Sequence, residues 1–173
     1  MPPRLRILLP ALALAAAVFG WAAPPGGETT PHRTGVEVHV KSSRYALKPT
    51  RRKPTLGERA ATIAVKAVGV PYRWGGSSPT SGFDCSGLVY WAYGRLGVEL
   101  PHSSYALYGE GRSVARSRMK PGDVLFFSGL GHVGLYLGRG RMVHAPHSGR
   151  TVEVVTLDRS HYGERLVGVR RLV

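Results

Sequence analysis

The chain has 173 residues, enough for one ordinary domain. Its formal net charge is +14, carried as +2 on residues 1–23, +5 on 24–55 and +7 on 56–173, so no single tail accounts for it. Such a balance calls for anionic surroundings without choosing among nucleic acid, lipid and surface polymers. The single cysteine, Cys85, excludes an internal disulfide framework.

The N-terminus narrows the surroundings. Arg4 and Arg6 precede an apolar run over 7–19, followed by the small residues Gly20 and Ala22 and then Pro24-Pro25. This reads as a secretory signal peptide over 1–22, with the mature chain starting near Ala23. The run is shorter than the ~20 apolar residues of a membrane span; an uncleaved anchor is the other reading. Export implies a secreted or wall-associated protein with no stable membrane insertion once the signal is removed. It also removes nucleic acid as a partner, since only charge argues for one. Residues 23–54, rich in Pro and closing on Arg51-Arg52-Lys53, read as a basic linker. It serves either as a solubilising tether or as a charge-based hold on anionic wall polymers.

The domain is expected over 55–173. Thr55-Leu56-Gly57-Glu58 fits a capping box opening a helix whose apolar positions are Leu56, Ala60, Ile63, Ala64 and Ala67. Gly69 can close it. Pro71-Tyr72-Arg73-Trp74-Gly75-Gly76 is a turn-rich loop. A second helix starts at Cys85, with Asp84 as its N-cap, and ends at Gly97. After Pro121-Gly122-Asp123 the period changes to that of strands, over 124–127, 133–137, 141–145, 151–155 and 166–171. Helices followed by a run of strands predict an α+β domain with an antiparallel sheet.

Cys85 thus sits at a helix N-terminus, where the dipole favours a thiolate and lowers its pKa toward neutrality. Alternation puts His132, Gly134 and Tyr136 on one strand face. If the following hairpin loop has three residues, His144 lies opposite or diagonal to His132 on that face; a two-residue loop would separate them. Gly134 leaves room on that face, expected to admit a helix. The pattern is nucleophile, base and orienting partner. Zinc is the competing use of Cys85, His132 and His144, but the hydrolytic zinc motifs are absent, so neither a metal nor a cofactor is expected.

Five ordered segments resemble the NlpC-type family of cell-wall cysteine peptidases: Pro71 to Gly76, Phe83-Asp84-Cys85-Ser86-Gly87-Leu88-Val89, Pro121 to Phe127, Gly131 to Tyr136, and Met142-Val143-His144-Ala145. The resemblance implies a papain-like α+β fold, with the nucleophile at the start of a helix packed on an antiparallel sheet. It implies Cys85 as nucleophile, His132 as base and His144 as orienter, with Tyr72, Asp84 and Ser86 contacting substrate. The implied substrate is the peptidoglycan stem peptide, cut between γ-D-glutamate and the diamino acid. His102-Ser103-Ser104-Tyr105 after Pro101 departs from the family's Arg-Thr-Ser run, which bears on the subsites and not on the chemistry. The alternatives are a papain-like amidase or acyltransferase of the wall, and a catalytically silent wall-binding module.

Overall fold

The computed structural model describes residues 52–173; the expected signal peptide, and the linker up to residue 51, lie outside the described residues. Helix α1 spans Leu56–Val65, and its capping box forms as expected. Thr55 Oγ1 accepts from the Glu58 amide, and the Glu58 carboxylate accepts from the Thr55 amide at 2.8 Å. The chain then makes a small hairpin, β1 (Ser77–Ser78) with β2 (Gly82–Phe83). Helix α2, Cys85–Gly94, follows under an Asp84 cap.

One-turn helix α3 (Ser104–Leu107) leads to edge strand β3 (Arg112–Ser113). The strands β4 (Val124–Phe127), β5 (Val133–Gly138), β6 (Arg141–His144) and β7 (Glu153–Thr156) come next. One-turn α4 (Tyr162–Arg165) precedes the last strand, β8 (Leu166–Arg171). The sheet is antiparallel with order β3-β8-β4-β5-β6-β7. The α+β expectation is met, with the five predicted strands present. The hairpin β1–β2, strand β3 and the one-turn helices are too short to carry a sequence period.

Strand β4 reads as an unbroken apolar run because both its faces are covered. Val124 and Phe126 pack with Val133, Leu135, Leu137 and the apolar faces of α1 and α2. Leu125 and Phe127 pack on the other side with Tyr136, Met142, Leu157 and Val169. Each large side chain so buried contributes about 1.5–3 kcal/mol. β8 lies between edge strand β3 and β4, and at its end Arg171 grips Asp123 through Nε and a terminal nitrogen, both at 2.7 Å. That two-pronged pairing fixes the turn from which β4 starts.

The β5–β6 hairpin settles the loop parity. Its tight turn has two residues, Arg139 and Gly140, both at positive φ. A register shift between Tyr136 and Gly138 inserts one extra residue, so a β-bulge restores the parity of a three-residue loop. Leu135 pairs with Val143 and Tyr136 with Met142, which leaves His144 beside Gly134 and diagonal to His132. The room at Gly134 is used differently from the expectation. A Cβ there would meet Met142 Sδ at 2.9 Å and His144 Cβ at 3.3 Å, so the space admits strand β6, while the helices pack on the opposite face.

Candidate active site

A cleft of about 460 Å³ opens at the start of α2. Its lining holds Cys85, Asp84, Ser86, Tyr72 and His132, together with Trp74 and Tyr105. Five of the six residues singled out from sequence therefore meet in one cavity. The sixth, His144, lies directly behind His132: His132 Nε2 and His144 Nδ1 are 2.9 Å apart. Those two nitrogens are spent on each other, so they are not free to share an ion with the Cys85 sulfur.

Asp84 does the work of a cap and more. Its Oδ1 accepts from the Gly87 amide at 2.7 Å, from the Ser86 hydroxyl at 3.1 Å, and sits 3.0 Å from His102 Nε2. Its Oδ2 accepts from the Gly75 amide at 2.8 Å, tying the entry loop to the helix start. Burial works against the charged carboxylate, but the Gly87 amide and His102 outweigh it and hold the pKa below the usual value. With Oδ1 fully engaged, one acceptor position remains on Oδ2. Gly87 is required here: a Cβ would lie 2.0 Å from the Gly76 carbonyl oxygen.

The thiol departs from the simple expectation. Cys85 is only partly exposed, and burial, reinforced by the Asp84 charge, raises its pKa despite the amides of Val133, Ser86 and Cys85 facing the sulfur. Desolvation thus overrides the helix terminus in the empty cleft. Burial also drives His132 down to about 3 and His144 to about 4, with the positive groups around them adding to the effect. At neutral pH the cleft therefore holds a neutral thiol beside a neutral imidazole. Such a pair reacts by transferring the proton as the sulfur attacks.

Three further neighbours are assigned no role from the sequence. Tyr162 stacks on His132, with ring centroids 5.4 Å apart, and meets His144 edge-on at 4.8 Å. His102 pairs with Asp84 and stacks on Tyr90 at 5.7 Å. Glu153 stands across from His144 on β7. The departure noted at residues 102–105 signalled His102. Nothing local signals the other two.

The model of the NlpC/P60 family matches residues 69–171. A probable endopeptidase of Mycobacterium tuberculosis is 51% identical over 107 residues, covering 60% of this chain and 28% of that protein. The murein DD-endopeptidase MepH of Escherichia coli is 38% identical over 128 residues, covering 67% of this chain and 47% of its own. The solved structure of the peptidoglycan hydrolase RipB of Mycobacterium tuberculosis matches with a TM-score of 0.60 and 35% identity, over 68% of this chain and 65% of that one. The chain spans well under two thirds of the length of these curated relatives, 28% and 47%.

Proposed function

This chain belongs to the NlpC/P60 family, and on that premise we propose that it is an exported cysteine endopeptidase that cuts peptidoglycan stem peptides. The observation that carries the reading is the partly buried thiol of Cys85 sharing a cleft with His132, whose Nε2 is paired to His144 at 2.9 Å. The engaged Nε2 leaves His132 Nδ1 to take a proton.

In this reading Cys85 Sγ attacks the scissile carbonyl carbon, and its proton passes to His132 Nδ1. The developing oxyanion is met by the Cys85 and Ser86 amides at the start of α2, since the Gly87 and Leu88 amides are taken by Asp84. His132 then protonates the departing amine, leaving a thioester on Cys85 that water hydrolyses with His132 as base. Tyr72, Asp84 and Ser86 line the approach, where the free acceptor position on Asp84 Oδ2 suits an amine or amide of the stem peptide. The bond cut is that between γ-D-glutamate and the diamino acid. The basic residues before the domain hold it near anionic wall polymers.

Digestion of purified muropeptides followed by product weighing tests this. Fragments beginning with the diamino acid are expected. Intact stem peptides beginning with L-alanine would make the enzyme an amidase. No products, with none lost on Cys85→Ala, would make it a silent binding module.

A further inference from the structure

His144 has a second nitrogen, and its surroundings extend the site by one residue. The ring is fully buried. Nδ1 is engaged with His132, while Nε2 is a buried side-chain nitrogen with no hydrogen-bond partner among the described residues. A polar group sealed in this way is costly unless a partner comes to it. Glu153 stands directly across the β6–β7 ladder from His144, and its Oε1 is 3.7 Å from Nε2. Its other oxygen is held by Arg150 at 2.6 Å. The distance to Nε2 exceeds a direct hydrogen bond by about half an ångström. Glu153 is on the sheet's edge strand and its side chain is 28% exposed, so a small rotation closes that gap.

The tautomers follow from this placement. A carboxylate beside Nε2 requires the His144 proton to be on Nε2. Nδ1 must then accept, so His132 Nε2 must donate. That in turn leaves the lone pair of His132 on Nδ1, where the thiol proton is received. We propose that Glu153 is a positioning residue of the reaction, fixing through His144 the one tautomer of His132 that can act as base toward Cys85. The inference rests on the thiol chemistry proposed above. During attack the Sγ–carbon bond forms and the thiol proton goes to His132 Nδ1. Glu153 remains ionised, and the His144 proton stays on Nε2. The remaining charged and titratable groups facing the pair are Arg150, Arg165, His147 and His161, with Tyr162 covering both rings. Glu153 is thus the one carboxylate among these groups.

Two readouts need no substrate and so stand apart from the fate of the peptidase assignment. Nitrogen-15 correlation spectra of the folded protein should report the Nε2–H tautomer for both His144 and His132. Glu153→Ala should mix the His144 tautomers and slow iodoacetamide alkylation of Cys85 near neutral pH. On muropeptides it should lower kcat roughly tenfold with KM little changed. Glu153→Gln should restore most of each, because its amide oxygen accepts the same hydrogen. Arg150→Gln breaks the Arg150–Glu153 pair but keeps the carboxylate, and should stay close to the parent protein. Unchanged tautomers and alkylation in Glu153→Ala overturn the proposal. So does an Arg150→Gln protein as impaired as Glu153→Ala, since Glu153 would then act only as a staple for Arg150. If Glu153→Ala does not fold, Glu153→Gln and Arg150→Gln still decide, because an Nδ1–H tautomer of His144 in either one contradicts the assignment.

Discussion

Helices α1 and α2 begin with the same chemistry and end in different uses. Each has ten residues, a capping side chain just before it and a glycine in its first turn. At α1 the cap faces solvent: Thr55 and Glu58 exchange bonds, and Arg52 pairs with Glu58 at 2.6 Å. The first helical residue is Leu56, 37% exposed. At α2 the cap is Asp84, 8% exposed, and it gathers the entry loop, Ser86 and His102 around the helix start. The first helical residue there is Cys85. Capping makes a helix start in both places, but burial behind an entry loop turns only the second into a cleft.

The sharpest break between the two is chemical. Cys85→Ala or His132→Ala should lower muropeptide turnover at least a thousandfold, about 4 kcal/mol of barrier. Leu56→Ala, at the matching place in α1, should leave turnover unchanged in the same assay.

The two glycines give the next contrast. Gly87→Ala forces a Cβ to within 2.0 Å of a backbone oxygen and should cost about 3 kcal/mol or more in denaturant unfolding. In α1, a Cβ on Gly57 would meet the Pro121 oxygen at 3.1 Å. That tight fit is offset by the roughly 1 kcal/mol that Ala gains over Gly in a helix, so Gly57→Ala should stay within about 1 kcal/mol of the parent.

Acid separates the regions by pH. The native pKa values of His132 and His144 lie at about 3 and about 4, below the unfolded value of 6.5. Their contribution to stability is therefore complete above pH 6.5 and drains away as pH falls toward those native values. The loss should be on the order of 3 kcal/mol for His144 by about pH 4. At α1, burial opposes ionisation of Glu58, but the Thr55 amide and Arg52 win and lower its pKa. That cap should weaken only when carboxylates titrate. Melting temperature followed from pH 7.5 to 4.5 should drop through the histidine window, and His144→Gln should flatten the drop. An unchanged slope in that variant would mean carboxylates alone carry it.

Smaller effects separate the caps themselves. Asp84→Asn should reduce turnover by about ten- to a hundredfold through weakened contacts to the amides and substrate, with a smaller effect on Cys85 alkylation. Thr55→Ala should cost about 1 kcal/mol of stability and nothing in turnover. A Thr55 variant with impaired kcat would undo the division drawn between the two helix starts.

Short-range signals were legible. The capping box at Thr55–Glu58, the Asp84 cap, the apolar period of the helices and the strand alternation around Val133 all depend on residues within a few positions of one another, where spacing maps directly onto geometry. The pairing of His132 with His144 was legible only up to a parity, because the bulge near Leu137 and the two-residue turn at Arg139-Gly140 jointly decide it. Tyr162 and Glu153 left no trace: they approach the histidines across the sheet, from segments whose own spacing suits an ordinary surface turn and an edge strand.

By itself, then, the sequence determined which residues could start helices, line strands and carry thiol chemistry, since those properties are written in local hydrogen bonding and periodicity. The tertiary structure alone decided their charge state and alignment. Packing buries Cys85 at the start of α2 and covers His132 with Phe127 and Tyr162, and desolvation then outweighs the helix terminus that favours a thiolate. Bringing β7 alongside β6 places Glu153 behind His144, a contact set by strand register and by nothing in the residues adjacent to either.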